Sequence, residues 1–159
     1  METETVGSLT ASAQQIVRNG TLTLHCAVDA AFPLFSPEGE RKWISSWNPQ
    51  PVFPDTIAFQ PDTVFRQGAE QAVWTIVDVD WQAHRAEYVR VAPASHSAHI
   101  TVELDALSNE TCRVRVRYAL TVFGPDAASL LETFSENAFA ERMQNWRRWI
   151  GEYLTTTAA

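Results

Sequence analysis

Two neighbouring segments of this chain alternate apolar and polar residues along their whole length, and this pattern constrains the fold most strongly. The apolar positions are Ala98, Ile100, Val102 and Leu104 in the first segment and Val114, Val116, Tyr118 and Leu120 in the second. Successive side chains of a strand point to opposite faces of a sheet, so each segment is predicted to be a half-buried strand. The short polar link at residues 108–110 predicts an antiparallel hairpin, whose acidic and arginine-rich outer faces would pair across the strands in water.

Shorter segments before this hairpin carry strand patterns of the same kind. They cover residues 21–28, 63–65, 71–80 and 84–91, and the last three are joined to each other and to the hairpin by short turns. Consecutive strands with short turns are typical of an antiparallel meander. Between the first two segments, Asp29 is predicted to cap a short helix over residues 30–35, and Ser36-Pro37 to begin a second one.

A long amphipathic helix is predicted at the end of the chain. Gly124-Pro125-Asp126 would end the last strand, and the helix would run from about Ala127 to Leu154, roughly 40 Å at 1.5 Å per residue. Its apolar stripe drifts along the helix, as expected where a helix lies in a curved surface. We predict that it packs on the concave face of the sheet. The predicted packing residues are Phe134, Ala138, Trp146 and Trp149.

Together these patterns predict a single α+β domain. Its order is one strand, two short helices, about six strands and one long C-terminal helix, with the curved antiparallel sheet wrapped around that helix. The domain is expected to span residues 16–156. The small, polar residues 1–15 are expected to form a flexible N-terminal arm.

Composition and charge limit the classes of function. The 159 residues carry a net charge of −7 with a single lysine, which argues against nucleic-acid binding and against docking on anionic membranes by charge. No stretch approaches the roughly 20 apolar residues of a membrane span, and the acidic N-terminus does not resemble a signal peptide. We therefore expect a cytoplasmic protein. The exposed edge strands of such a sheet would permit a homodimer.

The sequence predicts neither a metal site nor a cofactor site. His96 and His99 fall on opposite faces of one predicted strand, so they cannot hold the same ion. Cys26 and Cys112 lack the spacing of metal ligands and are predicted to be buried, reduced thiols. The six glycines are scattered singly, without a phosphate-binding loop or dinucleotide motif.

Several segments carry a family resemblance. They are residues 30–43 (AAFPLFSPEGERKW), Trp47-Asn48-Pro49, Val73-Trp74, residues 88–93 (YVRVAP) and residues 116–121 (VRYALT). With the predicted order of elements, they make the chain similar to the START-related (SRPBCC) superfamily of helix-grip proteins, and most of all to its polyketide cyclase/dehydrase-like branch. That superfamily includes pollen-allergen-like ligand binders, polyketide cyclases and lipid-transfer domains. The resemblance covers about residues 21–154 and implies a helix-grip fold with an internal cavity, but no particular reaction.

The predicted cavity lies between the long helix and the strands. Residues expected to line it are Trp74, Ile76, Ile100, Val116, Tyr118 and Phe134, with the small Ala138 leaving room near the middle of the helix. Trp43 and Trp47 would either form an aromatic mouth or plug the open end of the sheet. Polar groups expected to reach inside are Tyr88, Tyr118, Arg90 and Arg142. The tyrosines could instead be core residues bonded to backbone, and Arg142 could extend past the helix edge into water.

Three functions fit these patterns. The first is binding of a small hydrophobic or amphipathic molecule in the cavity, without catalysis. The second is a cyclase- or dehydrase-type enzyme, in which a few polar groups would steer proton transfer. The third is a protein-interaction domain, as in chaperone-activating relatives of this fold, with a collapsed cavity and an exposed apolar patch. The carboxylates Asp78, Asp80 and Glu87 could form an acid–base pair or a solvated strand end.

Overall fold

The computed structural model describes residues 13–158 and confirms the predicted α+β helix-grip architecture. The strands are β1 (Gln14–Leu24), β2 (Gln50–Phe53), β3 (Val64–Gln67), β4 (Ala72–Asp80), β5 (Arg85–Ala92), β6 (His96–Ala106) and β7 (Cys112–Val122). The helices are α1 (Val28–Ala31), α2 (Pro37–Glu40), α3 (Ala127–Thr133) and α4 (Glu136–Ala158), with a 3-10 turn at Phe32–Phe35 between α1 and α2. Six strands follow the short helices, in agreement with the predicted number of about six, although the residue patterns located only five of them.

The strands form one curved antiparallel sheet in the order β1-β7-β6-β5-β4-β3-β2. All six pairings are antiparallel. Because β1 and β2 stand at the ends of this order, they are the two edge strands of the sheet. The predicted cross-strand pairing of β6 and β7 is confirmed. Glu103 faces Arg115 in the register, and the Arg115 guanidinium lies 3.5 Å from the carboxylate of Glu103 and 2.9 Å from that of Asp105.

Two strands differ from the sequence-based prediction. The first begins at Gln14 rather than Thr21, because residues 14–20 pair with the second half of β7. Gln14 and Gln15, which the sequence pattern places in the N-terminal arm, therefore belong to β1, while residues 1–12 of that arm lie outside the described residues. The pattern also missed β2, which is only four residues long and exposed throughout, so it has no buried face to alternate with.

The short helices follow the prediction in one case and differ in the other. Asp29 does not cap the first helix, because α1 begins at Val28; its carboxylate instead lies 2.7 Å from His84 Nε2. Ser36 caps α2 as predicted, since its hydroxyl accepts a hydrogen bond of 2.9 Å from the Gly39 amide. At Gly39 a Cβ atom would collide with the carbonyl oxygen of Pro33, so α2 can pack against the 3-10 turn only with glycine there.

The predicted single helix from Ala127 to Leu154 is wrong, because the structure divides it into α3 and α4. The break lies at Phe134, whose backbone (φ −118°, ψ 23°) leaves the helical region while its ring is buried in the core. Ser135 then caps α4 through a hydrogen bond of 3.1 Å from the Ala138 amide to its hydroxyl. Ala138 therefore lies in the first turn of α4 and not in the middle of a longer helix.

One face of α4 packs on the concave side of the sheet. Its buried side chains are Phe139, Met143, Trp146 and Ile150. Trp146 was predicted correctly, whereas Trp149 and Ala138 are only half-buried and Phe134 precedes the helix. Of the helices in the described part of the chain, none has both the length and the hydropathy of a bilayer span.

Candidate functional site

A cavity of about 540 Å³ lies between α4, the segment from α2 to Trp47 and the concave face of β4–β7. Eight of the twelve predicted site residues line it. They are Trp47, Trp74, Tyr88, Arg90, Ile100, Tyr118, Ala138 and Arg142. Its volume falls in the range of pockets that hold drug-sized small molecules.

The other four predicted site residues do not line the cavity but lie in the packed core. They are Trp43, Ile76, Val116 and Phe134, and all are buried. Trp43 packs edge-on against Trp146 with 5.5 Å between ring centroids, and its indole donates a hydrogen bond of 2.8 Å to the Leu34 carbonyl. The two tryptophans predicted to act together are thus separated, because Trp43 plugs the core while Trp47 borders the cavity.

Aromatic rings form one wall of the cavity. Trp74 stacks on Phe65 with centroids 5.6 Å apart, and Trp47 and Tyr88 meet the Trp74 ring edge-on at 5.4 and 6.0 Å. Stacked and edge-on contacts of this kind are the favoured arrangements of aromatic pairs, so the rings stabilise one another in this wall. The Trp74 indole nitrogen is buried and has no hydrogen-bond partner among the described residues.

The two tyrosines differ in what their hydroxyls do. Tyr88 is a core tyrosine, because its hydroxyl donates a hydrogen bond of 2.6 Å to the Phe35 carbonyl. Burial raises the pKa of Tyr88 well above its usual value, and Glu40 adds to the shift. The Tyr118 hydroxyl makes no hydrogen bond with any described residue and is not fully occluded, so it is open to a partner in the cavity. Burial also raises the pKa of Tyr118, so both phenols stay protonated at neutral pH.

Two guanidinium groups border the same cavity, each over an aromatic ring. Arg90 Cζ lies 5.3 Å from the centroid of Trp74, and Arg142 Cζ lies 4.5 Å from that of Phe134. These are cation–π distances, at which each ring attracts the positive charge above it. Burial lowers the pKa of Arg90, and the positive charge of Arg142 contributes to the same shift. The two cations are therefore close enough to affect each other.

Glu40 is a cavity residue that the sequence analysis missed. It ends α2, and its half-buried side chain faces the cavity. Burial raises the pKa of its carboxyl well above the usual value, which favours the protonated, neutral form. The sequence spacing could have indicated this position. Glu40 lies three residues after Pro37 and three before Trp43, both of which are buried, and residues three apart share a face of a helix.

The carboxylates of β4 and β5 lie outside the cavity. Glu87 pairs with His99 at 2.5 Å and with Arg85 at 3.4 Å, and the hydrogen bond from His99 is the main reason its pKa is lowered. Asp80 accepts hydrogen bonds of 3.0 Å from the amides of Gln82 and Ala83 in the turn between the strands. This arrangement fits the solvated strand end rather than an acid–base pair.

Comparison with known proteins supports the fold only. No family model matches the chain, and no curated protein matches it. Among solved structures, norcoclaurine synthase from Thalictrum flavum, in complex with dopamine and hydroxybenzaldehyde, is similar with a TM-score of 0.65 and 9% identity, over 94% of this chain and 91% of that one.

Two further structures are similar at comparable levels. Ara h 8.0201 matches with a TM-score of 0.54 and 13% identity, over 79% of this chain and 93% of its own. The di-domain aromatase/cyclase BexL of the BE-7585A biosynthetic pathway matches with a TM-score of 0.62 and 12% identity, over 85% of this chain and 46% of its own. The chain thus has the Bet v1-like helix-grip fold, which these solved structures share.

Proposed function

We propose that this protein binds a small apolar or amphipathic molecule in the cavity between α4 and the sheet. The observation that carries the proposal is the lining of the cavity. Aromatic and aliphatic side chains, with a few polar groups among them, surround a volume of about 540 Å³. Pockets with this combination are the usual sites of small-molecule binding. The norcoclaurine synthase of similar fold is in complex with two small aromatic molecules, dopamine and hydroxybenzaldehyde, which supports a comparable cargo here.

Catalysis by a cyclase- or dehydrase-type mechanism is the second candidate, and Glu40 is the observation in its favour. A carboxyl group whose pKa is raised by burial keeps its proton to higher pH and can act as a general acid. Tyr118 borders the same cavity and keeps its own proton. A carboxyl and a phenol that both carry a proton therefore border one space, and a passive binder does not need this pair.

The third candidate, a protein-interaction domain, has less support. An interaction domain of this kind would have a collapsed cavity, whereas the cavity here has a volume of about 540 Å³. Exposed aromatic residues do occur at Phe53 and Trp81, at 71% and 53% exposure. Trp81 already packs edge-on against Phe32 and Phe59, which gives its ring a structural role.

A neutral, environment-sensitive dye tests the binding function. N-phenyl-1-naphthylamine should bind the native protein with a stoichiometry of about one and gain fluorescence in the apolar cavity. Ala138→Phe should abolish this binding while the far-ultraviolet circular dichroism stays unchanged, because the new ring would project from α4 into the cavity. Ala140→Phe is the matched control, since Ala140 is exposed on the same helix and does not line the cavity.

The outcomes separate the candidates. Loss of binding in Ala138→Phe alone supports the cavity as the site. A dye that does not bind at all, or that binds both variants as well as the wild type, would refute the proposal.

A further inference from the structure

Two guanidinium groups border the cavity, and neither forms an ion pair with a described carboxylate, although the exposed Glu141 and the half-buried Glu40 also border it. Within residues 13–158, no carboxylate lies within 4.0 Å of the guanidinium nitrogens of Arg90 or Arg142. Glu70 acts on Arg90 only at longer range. The carboxyl group of Glu40 shares the cavity but favours its neutral form. Charges in apolar surroundings are costly unless they are paired, so this arrangement is suited to an anionic partner from outside the chain.

Arg90 is held in place by a chain of hydrogen bonds that leads to the protein surface. Its Nε–H donates to His96 Nε2 at 3.2 Å. That nitrogen must then be the unprotonated one, so His96 Nδ1–H donates to the Ser95 hydroxyl at 2.8 Å. The Ser95 hydroxyl in turn donates to the Asp126 carboxylate at 2.6 Å.

This chain uses only one of the three guanidinium nitrogens of Arg90. Its two terminal nitrogens make no hydrogen bond with any described residue and are not fully occluded. Asp126 stands immediately before α3 but makes no side-chain capping bond to that helix. Its carboxylate accepts the hydrogen bond from Ser95 instead. His96, Ser95 and Asp126 thus orient Arg90, whose two terminal nitrogens remain available at the cavity.

Arg142 likewise has terminal guanidinium nitrogens without a described partner, and it borders the cavity from the helix side, opposite the sheet. It is on α4, and its guanidinium lies over the Phe134 ring at 4.5 Å. Its Nε is buried with no partner among the described residues, and its terminal nitrogens have none either but remain accessible. Tyr118, with its open hydroxyl, borders the cavity beside both arginines and experiences the charge of each.

We propose that Arg90, Arg142 and Tyr118 form a binding site for the carboxylate of an amphipathic ligand whose apolar body lies against the aromatic wall formed by Trp47 and Trp74. This inference rests on the proposed binding function and names its ligand class. Planar guanidinium groups match the two oxygens of a carboxylate, and charge-assisted hydrogen bonds of this kind are the stronger ones. The His96–Ser95–Asp126 chain positions Arg90 for that contact.

Two ligands with the same ring system, one anionic and one neutral, test the proposal. 2-Naphthoate and 2-naphthylmethanol share a ring system, and their affinities can be measured by isothermal titration calorimetry at low ionic strength. The wild type should bind the carboxylate at least about tenfold more tightly than the alcohol. Arg142→Gln and Arg90→Gln should each reduce that preference to less than about threefold without weakening the alcohol. Arg113→Gln, which removes an exposed positive charge from β7 outside the cavity, should leave the preference unchanged.

Each outcome decides. Equal affinity for the two ligands, or preference for the alcohol, would overturn the carboxylate site and leave the binding function standing. A preference that survives in both folded arginine variants would also overturn it. If neither naphthyl ligand nor the neutral dye binds, the proposed function itself fails. Should a variant be unfolded by circular dichroism, the wild-type comparison alone decides.

Discussion

Replacing Trp146 by alanine tests whether α4 has been placed correctly on the sheet. The indole is 8% exposed, and it packs against the rings of Trp43 at 5.5 Å and Phe35 at 6.3 Å. Burying a tryptophan removes about 200 Å² from water, which at about 25 cal/mol per Å² stabilises the fold by roughly 5 kcal/mol before the alanine retained is subtracted. Trp→Ala changes in cores cost about 3–5 kcal/mol.

We expect a loss near 3 kcal/mol, at the low end of that range. Trp146 borders the cavity on one side, so part of its surface already lacks packed neighbours and fewer contacts are lost on truncation. In a domain of this size such a loss lowers Tm by roughly 6–12 °C. Urea unfolding followed by circular dichroism gives the free energy of unfolding, and Arg148→Ala, on the exposed side of α4, is the control. A loss below about 1 kcal/mol would mean that Trp146 is not buried and that the helix face is misassigned.

Two further predictions concern α2 and α4. Because the pKa of Glu40 is raised in the folded state, its contribution to stability is complete below the usual carboxyl pKa and is lost as pH rises toward the folded-state value. In urea unfolding, Glu40→Gln should therefore gain stability relative to the wild type as pH rises above about 4. A stability difference that does not change with pH would refute the raised pKa of Glu40. Gly39→Ala should destabilise the protein by about 1–3 kcal/mol, because its Cβ would meet the Pro33 carbonyl. Gly151→Ala, with open space at its Cβ inside α4, should instead stabilise it by about 0.5–1 kcal/mol; a thermal melt in which both changes act in the same direction would contradict this packing.

The order of elements could be predicted because it depends on local patterns. Period-two alternation and short turns identify antiparallel strands without knowledge of their partners, and most of the sheet is of this kind. β2 lacked a buried face, and the first half of β1 is so exposed that little apolar alternation marks it. These strands exist because neighbouring strands pair with them, which is tertiary information.

The cavity residues were predictable only in part, for a related reason. Strand parity correctly directed Tyr118 and Arg90 to the cavity side of the sheet. Helix periodicity failed at Phe134, because apolar spacing alone does not show that Ser135 starts a new helix. Glu40 was missed because a charged residue in a short helix is usually exposed, and only the packing of α2 against the 3-10 turn carries it inward.

The sharpest test of the binding site follows the tryptophan indole N–H signals in two-dimensional nitrogen–proton NMR while N-phenyl-1-naphthylamine is added. Trp47, Trp74, Trp146 and Trp149 border the cavity, whereas Trp81 lies outside it. Assigned by single Trp→Phe replacements, the Trp74 and Trp146 signals should shift most and saturate at one equivalent of dye, while the Trp81 signal stays in place. A shift confined to Trp81, with Trp74 and Trp146 unchanged, would place the ligand outside the cavity and contradict the binding site proposed for this fold.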